Sequence, residues 1–366
     1  MKRVKLGKLV SIQTGKLDAN AAVENGKYPF FTTAKEISWI DNYAYDDEVV
    51  LVAGNGDLNV KYYQGKFNAY QRTYILTSND TDIRMKYLYY FLEKYVEVLR
   101  LQSIGGVIKY IKLSNLTDAK IPLRSIVEQE QIISILEQLD NQIFSRQQQV
   151  SKLSNLVKSQ FHEMFGDIFN TKFSIFKLEE LCEFIKDGTH QTPKYTDDKI
   201  NGFKFLSSKD VTSGKISWES IKYIPEDLHN ELYSKIAPKR NDILLAKNGT
   251  TGVAALVDCD DIFDIYVSLA ILRFHEGNNP KYLLYAINSD GTKWQFNSSL
   301  KGVGVPNLHL GEIRKTKIPL PPLALQNQFA DFVAEVDKSQ LAGQMVLKLW
   351  RKLLKFSIIK LSFYEK

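Results

Sequence analysis

The chain has 366 residues, 44% of them apolar, which leaves room for two or three ordinary domains with cores of their own. Its two cysteines, Cys182 and Cys259, exclude a disulfide framework and a cysteine-built metal cluster, and suit a reducing cytoplasm. No apolar run reaches the ~18 residues of a membrane span, the basic start lacks the apolar core of a secretory signal, and a net charge of +6 permits a nucleic-acid partner without demanding one.

Residues 1–119 read as an α+β module. Short β-branched and aromatic runs, Val49–Ala53 and Tyr70–Leu76, are bounded by turn signals, and Lys86–Leu101 reads as a helix. Asn55 opens an Asn-Gly turn after the first run. Tyr70, Gln71 and Arg72 set an aromatic ring beside two side chains suited to base edges, and Lys109 and Tyr110 follow the glycine pair 105–106. The alternative for these residues is a hairpin turn or a solvated strand end. Residues 120–170 read as a spacer helix, because Ile132, Leu136, Leu139, Ile143, Val150, Leu153 and Val157 keep a 4,3 spacing interrupted by Arg146.

Residues 171–316 read as a second α+β module, with strands at Ile243–Leu245 and Leu269–Phe274 and one helix over Pro280–Phe296. A polar loop holds Thr189, His190, Thr192, Lys194 and Tyr195. Further short loops hold Ser208 and Lys209; Lys247, Asn248 and Thr250; and Lys301 and Asn307. All are expected to contact phosphates and bases, with connector and turn roles as the alternative. Residues 317–366 read as a second spacer helix, in which Phe329, Val333, Val336, Leu347, Trp350 and Leu354 continue the same spacing past interruptions at Gln340 and Gly343.

The second half repeats the first. KIPLRSIVEQEQIISILEQLD from Lys120 returns 197 residues later as KIPLPPLALQNQFADFVAEVD from Lys317. VLVAGNGD (Val50–Asp57) parallels ILLAKNGT (Ile243–Thr250), and KLGKLVSIQTGK (Lys5–Lys16) parallels KLEELCEFIKDG (Lys177–Gly188). The chain is therefore module, helix, module, helix. Two equivalent helices of ~40 residues, roughly 60 Å long at 1.5 Å per residue, are expected to pair as an antiparallel coiled coil about a pseudo-two-fold axis, with one module at each end. Packing of each helix on its own module is the alternative. Catalytic signatures are not legible: the histidines are scattered, VDCDDIFD (Val257–Asp264) fits no zinc or calcium spacing, and there is no GxGxxG, GxxxxGK[ST] or Asn-Pro-Pro-aromatic stretch.

Two stretches carry a family resemblance. GVGVPNLHLGEIRKTKIPLPPLALQNQFADFV (Gly302–Val333) resembles the end of a target-recognition module running into its spacer helix in the specificity (S) subunits of type I restriction–modification systems. IKDGTHQTPKY (Ile185–Tyr195) is similar to the opening loop of such modules. The resemblance spans nearly the whole chain. The first half departs from it, since QTGKLDANAAVENGKYPFF lacks the DGTHxTP sequence and GGVIKYIKL lacks the Pro-Asn pair. It implies a non-catalytic reader of double-stranded DNA, each module reading one half of a bipartite asymmetric target while the helices set the unread spacing. It also implies two docked methyltransferase subunits, which would bind S-adenosylmethionine, and two restriction/translocase subunits able to join. An adaptor that binds methyltransferase subunits without reading DNA is the alternative.

Overall fold

The computed structural model describes residues 3–79, 81–166, 168–212, 214–300 and 306–363, with side chains placed through Leu354. Two compact units divide it: Met1–Gln149 with Gly343–Lys366, and Val150–Ala342. The division differs from the boundaries drawn at the helix starts. It cuts both long helices, Ile126–Phe165 and Leu323–Phe363, because each helix buries one portion in each unit's core.

Unit one is built on a six-stranded sheet in the order Val10–Thr14, Thr73–Ser78, Tyr45–Ala53, Val60–Ala69, Tyr28–Phe31, Ser38–Ile40. All neighbours are antiparallel except Tyr28–Phe31 with Val60–Ala69. The run Val49–Ala53 is buried throughout, and its period of two sends side chains to both faces. Val50 and Val52 join Leu88, Leu92 and Leu99 of helix Met85–Gln102, while Val49 and Leu51 join Phe31 and Phe67 on the other side. A strand pair, Arg3–Lys5 with Lys120–Pro122, ties the start of the unit to the foot of the long helix.

Unit two holds an antiparallel sheet in the order Cys182–Asp187, Leu269–Phe274, Ile243–Ala246, Ala254–Leu256. Beside it stands a three-stranded sheet, Lys222–Ile224, Phe203–Leu206, Phe263–Ile265, whose last pair is parallel. The expected single helix over 280–296 is two, Pro280–Ile287 and Asp290–Ser299. Ser289 breaks it: its hydroxyl accepts from the Thr292 N–H and caps the second helix, and Asn279 caps the first. The pair Ile175–Lys177 with Lys317–Pro319 repeats the tie at the foot of the second long helix.

The glutamines shared by the two KIPL stretches have a structural use. Gln129 is fully buried; its amide donates to the Asp82 and Arg124 carbonyls, and its oxygen accepts from the Arg84 N–H. Gln326 is placed alike: its amide donates to the Pro321 carbonyl and to the Asn278 side-chain oxygen, and its own oxygen accepts from the Asn279 N–H. Each satisfies backbone groups that the approach of a helix to its module would otherwise strand without partners. Tyr87 and Tyr282 donate in parallel fashion to the carbonyls of Pro122 and Pro319.

Along the long helices, Ile132, Leu136, Ile143, Val157, Phe329, Val333, Val336 and Leu347 are buried, and Leu139, Val150, Leu153, Trp350 and Leu354 are half-buried. In unit one Leu354 packs on the core containing Ile132 and Leu136, the Arg146 guanidinium lies 6.0 Å from the Trp350 ring centre, and Arg351 donates to Gln147. In unit two Phe161 meets Phe329 edge-on, and Gln340 donates to Ser154. No described helix is long and apolar enough to cross a membrane.

Candidate nucleic-acid interface

One end of the main sheet in each unit gathers the loops singled out in the sequence. In unit two the loop leaving Cys182–Asp187 is pinned by Gly188 N–H to the Leu269 carbonyl, Thr189 N–H to the Ile265 carbonyl and Val267 N–H to the Thr189 carbonyl. Lys247 N–H donates to the Ser268 carbonyl, Leu308 N–H to the Lys247 carbonyl, and Asn248 bridges Asn307. Glycine is required at 188, since a Cβ there would stand 2.0 Å from the Ile265 carbonyl oxygen.

Unit one uses the same set of bonds. Gly15 N–H donates to Thr73, Leu17 N–H to Ala69, Gln71 N–H to Leu17, Gly54 N–H to Arg72 and Ile111 N–H to Gly54, in each case to the carbonyl, and Asn55 bridges Tyr110. A Cβ on Gly15 would stand 2.2 Å from the Ala69 carbonyl oxygen. Gly15, rather than Lys16 as the ungapped alignment suggests, thus takes the place of Gly188. Thr14 takes that of Asp187, Gly54 that of Lys247, and Tyr70 that of Tyr266, which bridges Thr189 as Tyr70 bridges Leu17.

This frame brings the sequence candidates of each unit together. In unit one Gln71, Arg72, Lys109 and Tyr110 are exposed, and Asn55 and Tyr70 are half-buried beside them. In unit two His190, Thr192, Lys194, Tyr195, Lys209 and Thr250 are exposed, and Thr189, Ser208, Asn248 and Asn307 are half-buried. Tyr195 stands edge-on to Phe205 and takes the Lys222 ammonium 3.8 Å from its ring centre. The Asn307 side-chain oxygen is buried without a partner. Lys301 lies outside the described residues. A cleft of about 280 Å³ opens beside the loop, lined by Asp187, Thr189, His190, Gln191, Lys235 and Asp264 among others.

Lys247 is a correction. It is not a free cation at the surface: its ammonium lies 2.6 Å from Asp187 Oδ2, and the two side chains are 7% and 19% exposed. Burial pushes the Asp187 carboxyl up, but the hydrogen bond and charge of Lys247, with His190 3.4 Å away, outweigh it and hold the group below the ordinary carboxylate range. Sequence reasoning also missed Tyr266, half-buried beside Thr189, and Ser268, a buried hydroxyl that accepts from the Ser208 N–H and holds that loop in place. The signal was present, because Ile75-Leu76 recurs as Ile271-Leu272, which places Tyr266 and Ser268 where unit one has Tyr70 and Arg72.

Three carboxylates of the acidic stretch 257–264 already have side-chain partners. Asp260 pairs with Arg240, Asp261 with Lys204, and buried Asp264 with the His229 ring at 2.7 Å. Among the described residues no three His, Cys, Asp or Glu side chains stand close enough to hold a metal ion. What both sheet ends do offer is hydrogen-bond donors and aromatic rings on loops held by backbone bonds, the equipment that base edges and phosphates call for.

Known proteins resemble this chain in sequence and fold. The family pattern described as a type I restriction modification DNA specificity domain matches residues 1–154 and 170–344. The EcoDI type I restriction enzyme specificity subunit of Escherichia coli is 40% identical over 92% of this chain and 81% of its own length. The MjaVIII specificity subunit of Methanocaldococcus jannaschii is 26% identical over 91% and 85%. A crystal structure of a type I restriction–modification S subunit from M. genitalium covers 100% of this chain and 96% of its own, with a TM-score of 0.59 at 16% identity, a likeness of fold.

Proposed function

The chain belongs to the type I restriction modification DNA specificity family, and from that premise we propose that it is the sequence-reading subunit of such an enzyme, acting in the cytoplasm. Each unit reads one half of a bipartite asymmetric target in double-stranded DNA. The observation that carries this reading is the pair of sheet ends, wired by the same backbone bonds but presenting different exposed side chains: Gln71, Arg72 and Lys109 in one, His190, Lys194 and Lys209 in the other. A common frame with exchanged donors suits two sites that must discriminate different bases.

On this reading the long helices form an antiparallel coiled coil between the two halves of an internal repeat, supported by the contacts of Trp350 with Arg146 and of Phe329 with Phe161. The coiled coil sets the number of unread base pairs and offers the docking surface for two methyltransferase subunits, which bind S-adenosylmethionine. Restriction/translocase subunits join for cleavage. The chain itself reads and positions, and the chemistry belongs to its partners. Modified-base sequencing of the source genome, with and without this gene, tests the reading. Loss of methylated adenine at one bipartite motif is expected. An unchanged methylome, with the methyltransferase subunits present and bound, overturns the reader role in favour of an adaptor.

A further inference from the structure

Resting on that reading, we propose that the largely buried Asp187–Lys247 pair is a positioning device for target recognition by unit two. It locks the loop that begins at Gly188 to the turn Lys247–Thr250, and neither charged group touches DNA. The topology supports this. Asp187 ends an edge strand and Lys247 follows the strand Ile243–Ala246, and Leu269–Phe274 lies between them in the sheet. The register sets Asp187 opposite Ala270 and Ala270 opposite Leu245, so Asp187, Ala270, Leu245 and Lys247 share one face. The ion pair therefore spans the middle strand above Ala270, which is small enough to let it pass. Its two ends lead straight into the loop carrying His190 and the turn carrying Asn248.

Filling space does not require charges at this place. In unit one the equivalent positions are Thr14, Tyr74 and Gly54, and the Tyr74 ring covers the glycine: a Cβ on Gly54 would lie 3.1 Å from Tyr74 Cε2. A buried ion pair seldom outweighs a well-packed apolar filler in stability. What it adds is direction, since a charge-assisted hydrogen bond fixes both partners in distance and angle. Asp187 also faces the exposed His190 imidazole at 3.4 Å, so the carboxylate orients a candidate reader while Lys247 anchors the carboxylate.

The test uses the assembled methyltransferase complex, the duplex carrying the motif found by genome sequencing, and two duplexes with one half scrambled. For the wild-type complex, scrambling either half is expected to weaken binding by tenfold or more. For Asp187→Asn and for Lys247→Met, binding to the intact duplex is expected to fall to the level of one scrambled duplex. Scrambling that half then costs nothing further, while scrambling the other half costs its full factor. Arg72→Ala, in unit one, is expected to blunt the opposite half. Wild-type discrimination of both halves by the two pair variants overturns the proposal, and so does equal loss at both halves with a collapsed melting transition. A wild-type complex indifferent to both halves overturns the reader function instead.

Discussion

The two sheet ends form the same backbone bonds on different interiors. Unit two spans its middle strand with a buried lysine and a half-buried aspartate over a small Ala270, whereas unit one puts the bulk on the middle strand, as Tyr74, and leaves Gly54 bare beneath it. The Tyr74 hydroxyl then donates to the Ile111 carbonyl, tying down a segment that the Leu308 region supplies in unit two. The contrast teaches that the loop frame is the shared quantity. Volume is conserved across the middle strand while its chemistry moves from aromatic to ionic, as close packing permits when one residue grows and its neighbour shrinks.

This contrast can be broken in order of expected effect. Lys247→Met strands the Asp187 carboxylate in a largely buried site and should lower the stability of unit two by about 3 kcal/mol, read as a lower melting temperature and faster amide exchange along 182–187 and 243–248. Tyr74→Ala opens space over Gly54 and removes the bond to Ile111; for this half-buried ring a loss of about 2 kcal/mol is expected, confined to unit one's exchange pattern. The exchange of solutions is the sharper test. Lys247→Gly combined with Asp187→Thr and Ala270→Tyr carries unit one's residues into unit two and should melt about 1 kcal/mol above Lys247→Gly alone; no gain would mean that the interiors are not interchangeable. The smallest effect is that of pH. Because the folded Asp187 carboxyl lies below its ordinary value, the pair's contribution is complete above the unfolded carboxylate pKa of ~3.9 and is lost as pH falls through the lower folded value. Melting of unit two from pH 5 to 8 should therefore show no step assignable to this group.

Much of this protein is determined by local sequence. The 4,3 spacing from Ile132 to Val157 and from Phe329 to Leu354 marks helices and their buried stripe, because that periodicity is a property of one helix surface. The Asn-Gly turns at 55–56 and 248–249 and the repeated KIPL stretches are legible for the same reason: Gly56 and Gly249 both adopt positive φ. Tertiary structure decided what depends on distant partners. Lys247 looks like a surface donor beside an Asn-Gly turn, and only Asp187, 60 residues earlier in the chain, makes it an interior strut. The helix over 280–296 breaks at Ser289 because that hydroxyl turns to cap the second helix while Thr292 is buried, an outcome that competes with a continuous apolar pattern. The alignment of Gly15 with Gly188 likewise follows from carbonyls brought close by Ala69 and Ile265. Periodicity and turn chemistry are written in neighbouring residues; the burial of a charge and the register of a loop are set by residues that meet only after folding.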